Sequence, residues 1–116
     1  MKILLLVDDD ATVRRAMRRL LSSLDVEIRE AINGLNALEL IRSGLAPAVI
    51  LSDVDMPALN GLEFVEKRNA EFAHIPVILC SGGSYQMQAS ALGVEYYEKG
   101  SDLQTLLDLV KNLLGA

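Results

Sequence analysis

Five short strand-like segments, each stopped by polar or turn-forming residues and each followed by a stretch of helical periodicity, set the terms on which this 116-residue chain can fold. The segments are Lys2 to Val7, Val26 to Glu30, Ala48 to Ser52, Ile75 to Cys80 and Val94 to Glu98. The first and third are near-continuous apolar runs, which at this length read as strands covered on both faces. Between the first two, Asp10 can cap a helix running to about Leu24, with Val13, Met17, Leu20, Leu21 and Leu24 on one side. Asn33 to Ser43 forms a second helix with Leu35, Leu38 and Ile41, or Leu38, Ile41 and Leu45, on its inward side, stopped by Gly44 and Pro47. A third begins at about Gly61, with Asn60 and Glu63 as a capping box, and runs to Phe72 with Leu62, Val65 and Phe72 inward. A short helical stretch from about Ser84 to Leu92 is ended by Gly93. Ser101, with Gln104 three residues on, is expected to cap a last helix from Asp102 to about Leu114, striped by Leu103, Leu106, Leu107, Val110, Leu113 and Leu114.

Parallel strands joined by right-handed helical crossovers carry helices on both faces. The alternation therefore predicts an α/β, doubly wound, five-stranded parallel sheet, most simply in the order 2-1-3-4-5 of the flavodoxin-like type. No repeat, low-complexity stretch or linker interrupts the pattern, and the length fits a single domain over residues 1–116.

In such a sheet, ligands bind at the carboxyl ends of the strands, near the point where strand order reverses. Two strands deliver carboxylates there: the first ends in Asp8, Asp9 and Asp10, and the third runs into Asp53-Val54-Asp55-Met56-Pro57. Asp10 is adequately explained as a helix cap. Asp8, Asp9 and Asp53 are not, because neighbouring strands lie about 4.8 Å apart and two unit charges at 4 Å repel by roughly 4 kcal/mol at an effective dielectric of 20. Such a cluster should bind a hard divalent cation or hold an extra proton, and an all-oxygen set suits Mg²⁺. Strand four ends in Ser81-Gly82-Gly83 and strand five in Lys99, which brings a hydroxyl and an ammonium to the same edge.

A formal net charge of -5 argues against nucleic acid and anionic membrane as partners. Arg14, Arg15, Arg18 and Arg19 are a local exception, expected as a solvated helix face and alternatively a docking patch. The lone Cys80 excludes an internal disulfide and is expected in the core; the lone His74 is expected at the surface. The first apolar run is cut off by three aspartates, so it is neither a signal peptide nor a membrane span, and a cytoplasmic location is expected.

The ordered set Val7-Asp8-Asp9-Asp10, Ser52-Asp53 through Glu63, Ser81-Gly82 and Lys99 resembles a response-regulator receiver domain of the CheY-like, single-domain type, over nearly the whole chain. The resemblance implies a phosphorylation-dependent switch of a two-component system. Asp53 would be the phosphoacceptor, and Asp8, Asp9 and the Asp55 backbone carbonyl would join it in holding Mg²⁺. Ser81 would contact the phosphoryl group, Lys99 would be its counter-charge and Tyr96 the switch aromatic. The implied partners are a histidine kinase or phosphotransfer protein and a downstream protein reached by docking. The implied chemistry is self-phosphorylation with slow hydrolysis, without turnover of an external substrate. With no output domain expected to follow, the signal would pass by docking.

The chain departs from the family pattern in places. Gly100 stands where typical receivers have a proline, commonly with a cis peptide that aims the lysine, and the stretch from Ser81 to Lys99 is short. Tyr96 and Tyr97 alternate across their strand, one expected inward and one outward; counting back from Lys99 favours Tyr96 as the switch, and a one-residue slip exchanges the two. A pseudo-receiver without phosphotransfer is one alternative. Another reads Asp53-Val54-Asp55 as the DxD motif of a phosphohydrolase, although that motif belongs at the first strand of a larger domain.

Overall fold

Apolar residues at i, i+2 along each strand fall into two sets, one for each face of the sheet, and helices cover both. The computed structural model describes residues 1–115. In chain order the elements are β1 (Lys2–Val7), α1 (Ala11–Leu21), β2 (Val26–Ala31), α2 (Gly34–Arg42), β3 (Val49–Asp53), α3 (Gly61–Glu71), β4 (Val77–Ser81), α4 (Gln86–Ala91), β5 (Glu95–Glu98) and α5 (Leu103–Gly115). The strands form one sheet in the order β2-β1-β3-β4-β5, every neighbouring pair parallel, as the alternation predicts. Leu5, Val7, Ile50, Val77 and Leu79 face α2, α3 and α4; Leu4, Leu6, Val49, Leu51, Ile78 and Cys80 face α1 and α5. Among the described residues, no helix is long and apolar enough to cross a membrane.

Two caps form where expected. Asp10 Oδ1 accepts from the Thr12 amide at 2.8 Å, and Asn60 and Glu63 close a reciprocal capping box. The last helix differs: Asp102 Oδ1, not Ser101, accepts from the Gln104 amide at 3.0 Å. Ser101 is held otherwise, its amide donating to the Glu98 carbonyl and its carbonyl accepting from Tyr97.

The inward stripes also differ in part from those expected. In α2 the buried residues are Gly34, Ala37, Leu38 and Ile41, an i, i+3, i+4, i+7 set that leaves Leu35 exposed and agrees with the alternative stripe of Leu38, Ile41 and Leu45, the last partly buried against the same layer. In α3 they are Gly61, Phe64, Val65 and Arg68, with Leu62 and Phe72 only partly buried. Leu103, at the start of α5, is exposed, and Leu106 and Val110 carry that helix's buried face.

An arginine on the buried stripe of α3 is what obscures its pattern. Arg68 is 8% exposed, and its Nε and Nη2 donate to the Ile75 carbonyl at 2.9 and 2.6 Å, tying α3 to the entry of β4. Burial pulls its guanidinium below the ordinary arginine value. Arg68→Ala leaves that carbonyl unpaired and a void beside it, so equilibrium denaturation is expected to show a loss of about 2–3 kcal/mol.

Candidate functional site

The sheet register decides which strand ends meet. Val7 lies opposite Ser52, so one step further along both strands sets Asp8 beside Asp53; Asp53 in turn lies opposite Cys80, and Ser81 opposite Glu98. The four strand ends therefore bring Asp8, Asp53, Ser81 and Lys99 to one edge.

On the β1 side, the Asp8 amide extends the ladder by donating to the Ala31 carbonyl at 3.1 Å, and Asp8 Oδ1 accepts from the Asp10 amide at 2.9 Å. Arg14 Nη1 donates to the Asp8 carbonyl at 2.7 Å while its Nε pairs with Glu30 at 2.8 Å. Arg18 holds the other Glu30 oxygen at 2.5 Å, and these two guanidiniums, Arg18 foremost, hold the Glu30 carboxyl below its ordinary value. Half of the arginine face is thus engaged in fastening α1 to β2, and Arg15 and Arg19 remain exposed.

On the β3 side, the Asp53 side chain is 11% exposed, and its Oδ1 accepts from the Val54 amide at 2.9 Å and from Lys99 Nζ at 3.2 Å. The Gly61 amide donates to the Val54 carbonyl at 2.8 Å, drawing the start of α3 against the strand end. A Cβ on Gly61 would stand 2.4 Å from the Asp53 carbonyl oxygen, so only glycine permits this approach.

Lys99 also lies 4.0 Å from Asp8 Oδ2. Burial draws its ammonium down, yet Asp53 and Asp8 outweigh burial and leave it above the ordinary lysine value. Gly100 does not spoil this placement. Its φ of +94° is a left-handed turn that proline could not make, and the Lys99 amide is fixed by the Ser81 carbonyl at 2.8 Å.

Ligand oxygens of Asp8, Asp9 and Asp53 lie within 4.8 Å of one another. Burial, with the Asp53 charge adding to it, raises the Asp8 carboxyl above 3.8 despite the bond from the Asp10 amide. A crowded, all-oxygen set with a carboxylate reluctant to ionise alone fits a hard divalent cation such as Mg²⁺. Asp55 is exposed, and its Oδ1 accepts from the Tyr85 hydroxyl at 3.2 Å. Ser81 is fully buried, its Oγ accepting from the Gly83 amide at 2.9 Å.

The two adjacent tyrosines occupy opposite faces of a sheet covered on both sides, so neither points into open solvent. Tyr97 is 3% exposed within the α1 and α5 layer, and its hydroxyl is fixed on the Ser101 carbonyl. Tyr96 is half-buried on the α4 side and donates to the Gly83 carbonyl at 2.5 Å. Cys80 lies in the core, its thiol pushed up to about 12 by burial, and His74 is exposed.

Sequence reasoning missed Tyr85 and the Arg14 contact to Asp8. Tyr85 carries no spacing signal. Glu30, an acid on the edge strand opposite a basic helix, was the available clue for Arg14.

The family model for the response regulator receiver domain matches residues 4–111. The chain belongs to that family. This receiver domain is 35% identical over 119 residues to the chemotaxis protein CheY1 of Helicobacter pylori strain J99, covering 97% of this chain and 96% of that protein. It is 37% identical over 79 residues to protein-glutamate methylesterase/protein-glutamine glutaminase 1 of Anaeromyxobacter dehalogenans, covering 68% of this chain and 22% of that larger protein. Among solved structures, the response regulator TrrA of Thermotoga maritima, in complex with Mg²⁺-BeF, superposes with a TM-score of 0.89 at 31% identity, over 98% of this chain and 100% of that one. The chain is a receiver domain of the CheY type, consistent with a two-component signalling switch. Its DxD-like Asp53-Val54-Asp55 stands at the end of β3 within that fold, not at a first strand.

Proposed function

We propose that this receiver domain takes a phosphoryl group onto Asp53 from a histidine kinase or phosphotransfer protein in a Mg²⁺-dependent reaction, and signals by docking on another protein. The observation that carries this reading is Lys99 Nζ at 3.2 Å from Asp53 Oδ1, beside carboxylates grouped within 4.8 Å. Lys99 and the Val54 amide both engage Oδ1, so Oδ2 is the oxygen whose lone pair is open to attack phosphorus. The P–Oδ bond forms as the P–N bond of a phosphohistidine breaks, and the departing imidazole takes up a proton. A Mg²⁺ ion held by Asp8, Asp9, Asp53 and the Asp55 backbone carbonyl would supply positive charge to offset repulsion between anionic nucleophile and anionic donor. Lys99 neutralises the developing charge from the β5 side.

Ser81 accepts one hydrogen bond through Oγ and keeps its own hydroxyl proton for a phosphoryl oxygen. Drawing Ser81 toward that oxygen moves the loop whose Gly83 carbonyl Tyr96 holds, which supports Tyr96 over the fixed Tyr97 as the switch aromatic. That shift biases an existing two-state equilibrium of the surface. Arg15 and Arg19 on α1 offer an exposed basic face for docking. Hydrolysis later adds water to phosphorus and returns the Asp53 carboxylate. The reach of Lys99 to Asp53 despite Gly100 favours phosphotransfer over a pseudo-receiver.

Intact mass after incubation with acetyl phosphate tests the reading. A phosphoryl adduct is expected in wild type with Mg²⁺, and none without Mg²⁺ or in Asp53→Asn. Absence of an adduct from both acetyl phosphate and a phosphorylated phosphotransfer protein would overturn it in favour of the pseudo-receiver.

A further inference from the structure

Two tyrosine hydroxyls hold the loop between β4 and α4. On the sheet side, Tyr96 donates to the Gly83 carbonyl at 2.5 Å, and the Tyr85 amide points back at the Tyr96 oxygen from 3.4 Å. Across the loops, the Tyr85 hydroxyl donates to Asp55 Oδ1 at 3.2 Å. Asp55 stands two residues beyond Asp53, and Tyr85 four beyond Ser81. The bond therefore ties together the loops that follow neighbouring strands, across the edge where Asp53 and Ser81 end those strands.

Further features fit the chain to this bond. A Cβ on Gly83 would meet Tyr85 Cε2 at 3.1 Å and Ser81 Oγ at 3.4 Å, so glycine lets ring and hydroxyl both lie against the loop. The helix that follows is held at its far end, where Ala89 is buried and Asn69 donates to the Leu92 carbonyl at 3.1 Å, whereas at its near end Tyr85, in the N-cap position, makes no side-chain capping bond. The loop is held by its own turn, closed by the Gly83 amide on Ser81 Oγ, and by its two tyrosines.

We propose that the Tyr85–Asp55 hydrogen bond is a strap across the mouth of the site, making Tyr85 a positioning residue that sets how fast Asp53 gains and loses a phosphoryl group. The proposal rests on Asp53 as phosphoacceptor. For the Ser81 hydroxyl to follow a phosphoryl oxygen, the turn closed by the Gly83 amide on Ser81 Oγ must move, and Tyr85 anchors the far end of that turn to the β3 side. Releasing the anchor lowers the barrier to loop movement and opens the acyl phosphate to water, so both rates rise.

The test compares wild type, Y85F, D55A and the double variant, with phosphorylation by acetyl phosphate and subsequent hydrolysis timed by intact mass in saturating Mg²⁺. Y85F keeps the ring and loses only the hydroxyl; it is expected to speed both steps by about three- to tenfold, the span an ordinary net hydrogen bond represents, as suits an exposed contact of 3.2 Å. A merely loosened fold would slow the reaction, so acceleration separates the strap from a structural role. In the D55A background the added Y85F change is expected to do nothing further, because the bond is already gone. Unchanged rates in Y85F, or a Y85F effect undiminished beside D55A, would overturn the strap. Wild type failing to take up a phosphoryl group would instead overturn the phosphoacceptor reading, and the strap with it, an outcome read from wild type alone.

Discussion

Gly61→Ala is expected to lower stability by about 3 kcal/mol or more, a loss read directly as a shift of the denaturation midpoint. The added methyl would stand 2.4 Å from the Asp53 carbonyl oxygen and 2.9 Å from the Val54 Cα, both backbone atoms that cannot swing aside. On helix propensity alone alanine would gain about 1 kcal/mol, so the sign of the result depends wholly on this contact. Relief requires α3 to back away from β3, which breaks the bond from the Gly61 amide to the Val54 carbonyl and shifts the turn that aims Asp53. Whatever remains folded should respond weakly to Mg²⁺. Gly82→Ala is the control: open space surrounds that position, and a change within about 0.5 kcal/mol is expected. Equal midpoints for the two variants would mean that α3 does not approach the strand end this closely.

Mg²⁺ at 100 times its Kd is expected to stabilise the protein by about 2.7 kcal/mol, and Asp8→Asn to abolish most of that response while raising the metal-free melting temperature by roughly 4 °C. Asp8 is the informative position because it is the most buried of the three acids and lies 4.0 Å from Lys99, whereas Asp53 lies 3.2 Å away. Neutralising Asp53 removes repulsion and the closer attraction together, so Asp53→Asn should move the metal-free midpoint less. The pH dependence has a definite sign. The Asp8 carboxyl is raised in the fold, so its charged form penalises the native state near neutrality, and stability grows as pH falls through the folded value toward 3.8. Glu30 is lowered, so its pairing with Arg18 and Arg14 contributes above 4.5 and is lost as pH falls below that through its folded value. Metal-free protein should therefore be most stable on the acid side of neutrality, and saturating Mg²⁺ should erase the rise from Asp8. Melts indifferent to metal, mutation and pH would remove the clustered-acid account.

Asp53, Asp8 and Lys99 were legible in the sequence because a strand that stops in a charge announces both its end and its edge of the sheet. Asp10 and Asn60 were legible because a cap is a local contact, made within three residues. The failures occur where that locality breaks down. Ser101 and Asp102 are both competent caps side by side, and the Tyr97 hydroxyl, which fastens the Ser101 carbonyl, bears on the choice. Arg68 sits on a buried stripe and so disguised it, shifting the inferred face of α3 away from Phe64. Tyr85 and Asp55 are 30 positions apart on two irregular loops, where no period exists to be read. The left-handed turn at Gly100 was invisible for the opposite reason: glycine permits so much that its presence alone specifies little.

The bond from the Lys99 amide to the Ser81 carbonyl has a meaning for engineering. It joins the carboxyl ends of β4 and β5: the chain leaves the sheet after Ser81, passes through α4, re-enters at Glu95 opposite Ile78, and comes back beside Ser81 only at the end of β5. Doubling the length of a flexible loop costs only about 0.6 kcal/mol in closure entropy. Beyond Tyr85, this excursion is therefore the natural place to splice in a reporter or a foreign recognition peptide, whose motions would reach Ser81 through the loop after β4 and Lys99 through β5, while the acid pocket on β1 and β3 stayed as built.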